Sequence, residues 1–166
     1  MKTTTSPGAS PALFMSEKED WETPPEFFRL LDDEFSFDLD VAANAENAKC
    51  ENYFTEEVDA FRRHWLCDSA AWLNPPYGRD IGKWIHKAHR SAIDEFAPVV
   101  VCLVPARTDT VWWHEFAMRA DEIRFVKGRL KFVGAPSSAP FPSAILIFRS
   151  DPTRGPKMTT MGKAKS

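Results

Sequence analysis

The chain has 166 residues, a length that suits one compact domain and is too short for two of ordinary size. Hydrophobic residues make up 43% of the sequence, enough to build a core, and no apolar run approaches the roughly 20 residues of a membrane span. The three cysteines form no CxxC pair, which suits a reducing compartment such as the cytoplasm and excludes a disulfide scaffold.

The net charge of −3 hides a strong asymmetry between the two halves of the chain. Residues 1–76 carry a charge of −10, whereas residues 77–166 carry +7. Such a split is compatible with one half that meets a polyanion and another half that serves a different ligand. Mutual neutralisation of the two halves is the simpler interpretation, and charge alone favours it.

Segments rich in Ser, Thr, Pro, Gly and Lys stand at both ends of the chain. We expect residues 1–16 to be a mobile N-terminal tail and residues 151–166 to be a basic, mobile C-terminal tail. Residues 17–150 then form the folded domain, in which we find no internal repeat.

The domain alternates helix-like and strand-like patterns. We predict a helix capped by Thr23, a strand over Phe35–Val41, a short strand over Ala71–Leu73, a helix capped by Asp80, a strand over Pro98–Val104, a helix over Thr110–Arg119, and strands over Ile123–Val133 and Ala144–Phe148. This alternation predicts an α/β fold whose sheet is mostly parallel and ends in a C-terminal antiparallel pair. Because ligands of such folds bind beyond the carboxyl ends of the strands, motifs at strand ends are the candidate sites.

One motif follows directly on the predicted strand over Ala71–Leu73 and consists of Asn74, Pro75, Pro76 and Tyr77. Two prolines fix two φ angles and supply no backbone N–H, so they cannot continue a central strand. The resulting rigid turn suits a planar ligand with an NH2 group: Asn74 and Pro75 each accept one amino hydrogen, and Tyr77 stacks on the ring. A proline-stiffened turn without chemistry is the alternative interpretation.

This geometry addresses a specific chemical difficulty. The exocyclic amine of adenine is a weak nucleophile because its lone pair is delocalised into the ring. Two acceptors that hold the amino hydrogens favour a pyramidal nitrogen and turn the lone pair toward an electrophile. Catalysis of this kind needs positioning and electrostatics, and it needs no covalent enzyme intermediate.

Further segments occur in a set order around this motif. They are Trp21–Pro24, Phe37–Ala43, Tyr53–Thr55, Leu73–Gly78, Trp84, Leu103–Thr110, Arg124–Phe132 and Phe141–Ala144. With these segments, residues 20–149 resemble the phage-type DNA N6-adenine methyltransferases, the Dam-like family of phages and prophages. The resemblance implies a Rossmann-like fold and methyl transfer from S-adenosylmethionine to N6 of an adenine flipped out of duplex DNA. It also implies a phage- or prophage-encoded enzyme that acts in the cytoplasm of the bacterial host.

The resemblance implies roles for individual residues as well. It assigns catalysis to Asn74, Pro75, Pro76 and Tyr77, and cofactor binding to Trp21, Thr23, Asp40, Ala42, Asp59 and Phe61. Asp40 is expected to meet the methionine ammonium and Asp59 the adenine amine of the cofactor. A helix cap at Thr23 and solvated carboxylates at Asp40 and Asp59 are the alternative interpretations.

The loop after the first strand departs from the wider methyltransferase pattern, which has a glycine-rich loop at this place. Residues 9–77 contain no glycine. We therefore expect Ala42, Ala43 and Asn44 to supply the small side chains and the positive φ angles instead.

The basic C-terminal part is expected to face DNA. Residues 124–166 hold nine Lys and Arg and a single acid. On a strand, Lys127, Arg129 and Lys131 fall on one face, where they contact phosphates. We also expect Arg107 to touch the substrate and Phe132 to contact the flipped base, whereas a solvated strand face and a core ring are the alternatives.

Three other functions stay open at this point. They are S-adenosylmethionine-dependent methylation of a protein glutamine, the same reaction on RNA, and a non-catalytic DNA-binding protein that keeps the fold. No His and Cys cluster has the spacing of a metal site, so we expect no metal, and we expect no membrane contact. Sequence specificity would come from the loop Gly134–Pro142, from the tails, or from a second subunit in a homodimer.

Overall fold

The computed structural model describes residues 20–164, so the expected N-terminal tail, residues 1–16, lies outside the described residues. The helices are α1 (Pro25–Phe35), α2 (Ile81–Ile93) and α3 (Val111–Glu115), with 3₁₀ turns at Glu56–Val58 and Ala117–Arg119. The strands are β1 (Phe37–Asp40), β2 (Ala70–Leu73), β3 (Val99–Pro105), β4 (Glu122–Lys127), β5 (Ser143–Arg149) and β6 (Lys157–Gly162). None of the helices in this range is long and apolar enough to cross a membrane.

The six strands form one mixed sheet in the order β1-β2-β3-β5-β4-β6. Strand β5 runs antiparallel to its neighbours β3 and β4, and the other pairings are parallel. Five strands therefore run in one direction, and their carboxyl ends share one edge of the sheet, which we call the carboxyl edge. The prediction of an α/β fold with a mostly parallel sheet and antiparallel pairing near the C-terminus is confirmed.

Helix α1 forms because its sequence places apolar side chains on one face. Among them is Phe28, whose ring centroid lies 5.3 Å from that of Trp72 on β2. Pro25 stands in the first turn, where its missing N–H costs no helical hydrogen bond. The N-cap position is Pro24 and no side chain caps the helix, so the prediction that Thr23 caps it is wrong.

Helix α2 covers the central strands of the sheet. Its residues Ile81, Ile85, Ala88 and Ala92 recur every three or four positions, and all four are buried. This helix packs against β3 and β5. Residues 100–104 of β3 are fully buried, as the continuous apolar sequence of this strand predicts for a strand covered on both faces.

Strand β4 ends at Lys127, well before the predicted end of the strand. Gly128 follows with a φ of +80°, in the left-handed region, and turns the chain out of the sheet. The residues up to the start of β5 form a loop over 128–142, which we call the rim loop. The prediction that Lys127, Arg129 and Lys131 share one strand face is therefore wrong, although all three residues are exposed.

The expected C-terminal tail, residues 151–166, contains strand β6. This strand pairs with β4 in a parallel register that sets Lys157 beside Glu122 and Gly162 beside Lys127. Residues 157–162 are thus part of the sheet, and the prediction of a mobile tail is wrong for this segment. The described end of the chain returns to the carboxyl edge because β6 runs parallel to β4.

Candidate active site

A pocket of about 1080 Å³ opens at the carboxyl ends of β1 and β2. Its wall is formed by residues 20–23, by most of residues 40–49 and 54–61, by the turn over 74–76, and by Trp72, Trp84 and Val133. All six residues predicted at the cofactor line this pocket, as do Asn74, Pro75 and Pro76. Tyr77, which follows Pro76 in the predicted catalytic motif, does not line the pocket and lies behind its wall.

Asn74 has a fixed side-chain orientation. Its amide nitrogen donates to the carbonyl oxygen of Trp21 (2.5 Å) and to the hydroxyl oxygen of Thr23 (3.0 Å). Since a carbonyl oxygen can only accept a hydrogen bond, the NH2 end of the amide must face Trp21. The amide oxygen Oδ1 is buried and accepts no hydrogen bond from residues 20–164. A buried acceptor without a donor costs free energy, so Oδ1 marks a place for an N–H of a ligand.

The two prolines explain why no neighbouring backbone N–H donates to Oδ1 of Asn74. Pro75 and Pro76 follow Asn74 directly, and neither has an N–H group. Both line the pocket, and Pro75 is buried. The turn therefore presents acceptors to a ligand and lacks the two backbone donors that would lie nearest to Oδ1 in sequence.

Tyr77 belongs to an aromatic cluster. The residue is 4% exposed, and its hydroxyl donates to the carbonyl oxygen of Leu103 (3.2 Å). Its ring meets the rings of Phe132 and Phe141 edge-on, and Trp21 completes the cluster. Burial raises the pKa of the Tyr77 hydroxyl, so it stays protonated at neutral pH. Contact of Tyr77 or of the buried Phe132 with a base requires this cluster to open.

Asp40 ends β1 and organises the loop that follows. The residue is 3% exposed, and its carboxylate accepts the backbone N–H groups of Ala42 (3.3 Å) and Lys49 (3.0 Å). Burial raises the pKa of Asp40 above its usual value, while these two N–H groups and the charge of Lys49 act in the opposite direction. A buried carboxylate of this kind favours a cation as its ligand.

The loop after β1 holds its shape without glycine because its side chains brace it. The side chain of Asn44 accepts the N–H groups of Glu46 and Asn47, and the side chain of Asn47 accepts the N–H of Asn44. None of Ala42, Ala43 and Asn44 has a positive φ, so that expectation is wrong. The two small alanines do line the pocket, where a larger side chain would narrow it.

The wall farther along the chain carries a carboxylate and two rings. Asp59 has a φ of +53°, and its carboxylate accepts the N–H of Phe61 (3.2 Å) and pairs with Arg62 (3.1 Å). The ring of Phe61 is 4.5 Å from that of Trp84, and Phe61 is 40% exposed. These rings offer an apolar surface to a planar ligand. Sequence reasoning did not assign Trp84 to the site, although it belongs to the segments that carry the family resemblance.

Acidic side chains dominate the pocket wall. The acids are Asp20, Glu22, Asp40, Glu56, Glu57 and Asp59. Lys49 is the single Lys or Arg in the described lining, and its Nζ pairs with Oε1 of Glu22 at 3.3 Å. A wall of this charge attracts a cationic molecule and repels phosphates. Within residues 20–164, no three or more His, Cys, Asp or Glu are grouped to hold a metal ion.

The basic residues predicted at DNA lie at the carboxyl edge, outside the acidic pocket. Arg107 follows β3, Lys127 ends β4, and Arg129 and Lys131 belong to the rim loop. Lys163 follows β6, and its Nζ donates to the carbonyl oxygen of Arg129 (3.1 Å). Sequence reasoning missed Lys163 because it placed this residue in a tail.

Comparison with known proteins adds to this geometry. The model of the family described as DNA N-6-adenine-methyltransferase (Dam) matches residues 11–164. The chain belongs to this family. Its relatives include proteins named DNA N-6-adenine-methyltransferase from Escherichia phage T1, 35% identical over 117 residues, and from Haemophilus phage HP1 (strain HP1c1), 28% identical over 121 residues. A third is the "Putative methyltransferase YfdM" of Escherichia coli (strain K12), 36% identical over 74 residues.

These alignments cover different shares of the relatives. They include 66%, 71% and 40% of this chain and 45%, 68% and 81% of the T1, HP1 and YfdM proteins, respectively. The Dam-family chain therefore spans less than half the length of the T1 protein. Membership of the family confirms the resemblance to phage-type adenine methyltransferases that the sequence motifs carry.

Proposed function

We propose that this Dam-family chain transfers the methyl group of S-adenosylmethionine to N6 of adenine in duplex DNA. Its domain would be of the Rossmann-like methyltransferase kind, with the cofactor at the carboxyl ends of β1 and β2. The observation that carries the proposal is the buried Oδ1 of Asn74, which accepts no hydrogen bond from residues 20–164. The names of the two phage relatives support the same reaction.

Asn74 and Pro75 act on the target amine. In this proposal Oδ1 of Asn74 accepts one hydrogen of N6, the carbonyl oxygen of Pro75 accepts the other, and the nitrogen lone pair is freed from the ring. Trp21 and Thr23 hold the amide of Asn74 in place before the base arrives. The acceptors are therefore preorganised, and no reorganisation is needed when charge develops on the nitrogen.

The acidic pocket fits a sulfonium cofactor, which supplies an electrophilic methyl group when it is bound. The volume of about 1080 Å³ exceeds what a ligand of this size requires, and the acidic wall complements the sulfonium and ammonium charges. We assign the contacts to Trp21, Thr23, Asp40, Ala42, Asp59 and Phe61. In this proposal Asp40 binds the ammonium, Asp59 accepts a hydrogen bond from the adenine amine, and Phe61 packs on the adenine ring.

The target base must leave the duplex to reach Oδ1 of Asn74. We assign Tyr77 to contact with the flipped base, and Phe132 to the cluster that supports Tyr77. Phe141 is the half-buried member of this cluster and belongs to the rim loop, so movement of the rim loop would expose the Tyr77 ring.

The basic residues of the carboxyl edge are proposed to bind the DNA backbone. They are Arg107, Lys127, Arg129, Lys131 and Lys163. Phosphates are attracted to these cations and repelled by the acidic pocket beside them. This arrangement admits a neutral base to the pocket while the backbone stays at its rim.

A methyl-transfer assay with labelled S-adenosylmethionine tests the proposal. The protein is offered duplex DNA, RNA and a protein mixture, and the modified nucleosides and amino acids are separated after digestion. We expect label in N6-methyladenine from DNA. Label in RNA or in glutamine alone would show another methyltransferase, and retention of DNA without any label would show a non-catalytic binding protein.

A further inference from the structure

Lys49 has a position in the acidic pocket that its sequence pattern does not reveal. Its side chain is 14% exposed, and its backbone N–H donates to Oδ2 of Asp40 at 3.0 Å. Its Nζ lies 3.3 Å from Oε1 of Glu22, whose side chain is 38% exposed. Asp40, Lys49 and Glu22 are thus neighbours in the pocket wall, where the cation of Lys49 is associated with two acids.

The charges of Asp40 and Lys49 are complementary to those of an amino-acid zwitterion. The amino-acid end of a sulfonium cofactor carries an ammonium and a carboxylate on the same carbon. In the proposed function Asp40 takes the ammonium, so the carboxylate must lie a few ångströms away and needs a cation or N–H donors. The backbone N–H of Lys49 is hydrogen-bonded to Asp40, and Lys49 is the single Lys or Arg in the described lining of the pocket.

We propose that Lys49 binds the carboxylate of the cofactor, and that Glu22 occupies Lys49 when the cofactor is absent. The inference rests on the proposed function, because it takes S-adenosylmethionine as the ligand. The carboxylate of Glu22 and the carboxylate of the cofactor then compete for the Nζ ammonium group of Lys49. Glu22 is the more exposed of the pair, so its carboxylate can be released into water at little cost.

Glu22 belongs to a segment, residues 21–23, that also forms hydrogen bonds with the turn over 74–76 and with the rim loop. The carbonyl oxygen of Glu22 accepts the N–H of Val133 in the rim loop (3.0 Å). The neighbouring residues Trp21 and Thr23 hold the amide of Asn74. Release of the Glu22 side chain leaves these contacts intact, since they involve its backbone and its neighbours.

Calorimetric titration with two ligands tests this inference without a methylation readout. The ligands are S-adenosylmethionine and its decarboxylated analogue, which keeps the amine and the sulfonium but lacks the carboxylate. We expect the wild-type protein to prefer S-adenosylmethionine by about tenfold or more, as a charge-assisted hydrogen bond implies. Lys49→Met should abolish this preference and leave the affinity for the analogue within about threefold of wild type.

Glu22→Gln separates competition from a purely structural role. Without the competing carboxylate, this variant should bind S-adenosylmethionine severalfold more tightly and the decarboxylated analogue unchanged. Lys83→Met serves as a matched control, because Lys83 is an exposed lysine paired with Asp80 outside the pocket. It should change neither affinity.

The outcomes distinguish this inference from the proposed function. Equal loss of both affinities in Lys49→Met, or unchanged affinities in that variant, would overturn the role of Lys49 while leaving the cofactor assignment in place. A wild-type protein that binds neither ligand would overturn the proposed function and this inference together. Thermal melting of each variant checks that the fold is retained.

Discussion

At the scale of single residues, the site depends on the orientation of one amide. Thr23 precedes a helix, and a position of that kind predicts a cap. In the structure its hydroxyl instead accepts from Asn74, which lies 51 residues further along the chain. Local sequence cannot distinguish a helix cap from an acceptor for Asn74, because Asn74 comes close to Thr23 only when β2 has joined the sheet.

Replacement of Asn74 by alanine tests the amide directly. Asn74→Ala removes the proposed acceptor for the target amine, so we expect methyl transfer to fall by about 100-fold or more, as for loss of one preorganised polar group in other active sites. Cofactor affinity should change less than threefold, as calorimetry will show. Asn52→Ala is the control, because Asn52 is exposed and lies outside the pocket lining. Transfer at the wild-type rate by Asn74→Ala would refute the role of Oδ1.

The pH dependence of cofactor binding tests Asp40. Its pKa is raised by burial, so the carboxylate takes up a proton at a higher pH than an ordinary aspartate. Affinity for the ammonium end should fall as pH decreases through this pKa. The free protein should respond in the opposite direction, because the folded state binds this proton more tightly than the unfolded chain and so gains stability on acidification.

Asp40→Asn should remove both effects. Its affinity for the cofactor is expected to be low at neutral pH and flat across the acidic range, measured by calorimetry at several pH values. A wild-type pH profile in this variant would assign the titration to another group. The positive charge of Lys49 acts against the rise of the Asp40 pKa.

At the scale of elements, hydrophobic periodicity was sufficient wherever an element is buried on a full face. The apolar stripe of α2 and the continuous apolar run of β3 predict elements close to those observed. The end of β4 was predictable in principle, because Gly128 stands at the position where the strand stops. The prediction ran past it since Leu130 and Phe132 alternate with basic residues as a strand would.

Strand β6 escaped prediction because its sequence carries little hydrophobic signal. Its burial alternates only between exposed and half-buried residues, as expected for an edge strand paired on one side. Its place is determined by contacts outside the strand. The buried carboxylate of Asp121 accepts the N–H groups of Arg149 (2.8 Å) and Thr153 (2.5 Å), and the carbonyl oxygen of Asp121 accepts the N–H of Lys157.

Removal of the Asp121 carboxylate should therefore loosen β6. Asp121→Ala leaves two backbone N–H groups without their acceptor, and we expect the free energy of unfolding to fall by about 2 kcal/mol. Amide hydrogen exchange in residues 157–162 should accelerate more than in β3. Asp151→Ala, a change of an exposed acid nearby, should stay within about 0.5 kcal/mol of wild type. Equal exchange in both variants would show that Asp121 does not hold β6.

At the scale of the whole molecule, the acidic and basic parts of the sequence supply two different surfaces of the structure. The acids that line the pocket all come from residues 20–59, whereas the basic residues of the carboxyl edge lie in residues 107–163. The sequence thus contained this division, although one ion pair, Arg124 with Glu34 (2.6 Å), joins the two halves. The pairing of Lys49 with Glu22 could not be predicted, because it joins two loops that no local pattern relates.

The two ends of β6 allow a matched test of the DNA surface. Lys163 lies at the carboxyl edge, beside the proposed backbone contacts, whereas Lys157 starts the same strand at the opposite edge of the sheet. The two lysines are six positions apart, which corresponds to roughly 20 Å along a strand. Both lysines are exposed, so the two substitutions remove the same charge from one strand at different places.

We expect Lys163→Gln to weaken binding of duplex DNA and to reduce the slope of log affinity against log salt concentration by about one, the value for one lost phosphate contact. Lys157→Gln should leave that slope unchanged, since it lies away from the proposed track of phosphates. Fluorescence anisotropy of a labelled duplex at several salt concentrations measures both. Equal slopes for the two variants would mean that net charge alone attracts DNA, and a larger effect at Lys157 would place the duplex on the other edge of the sheet.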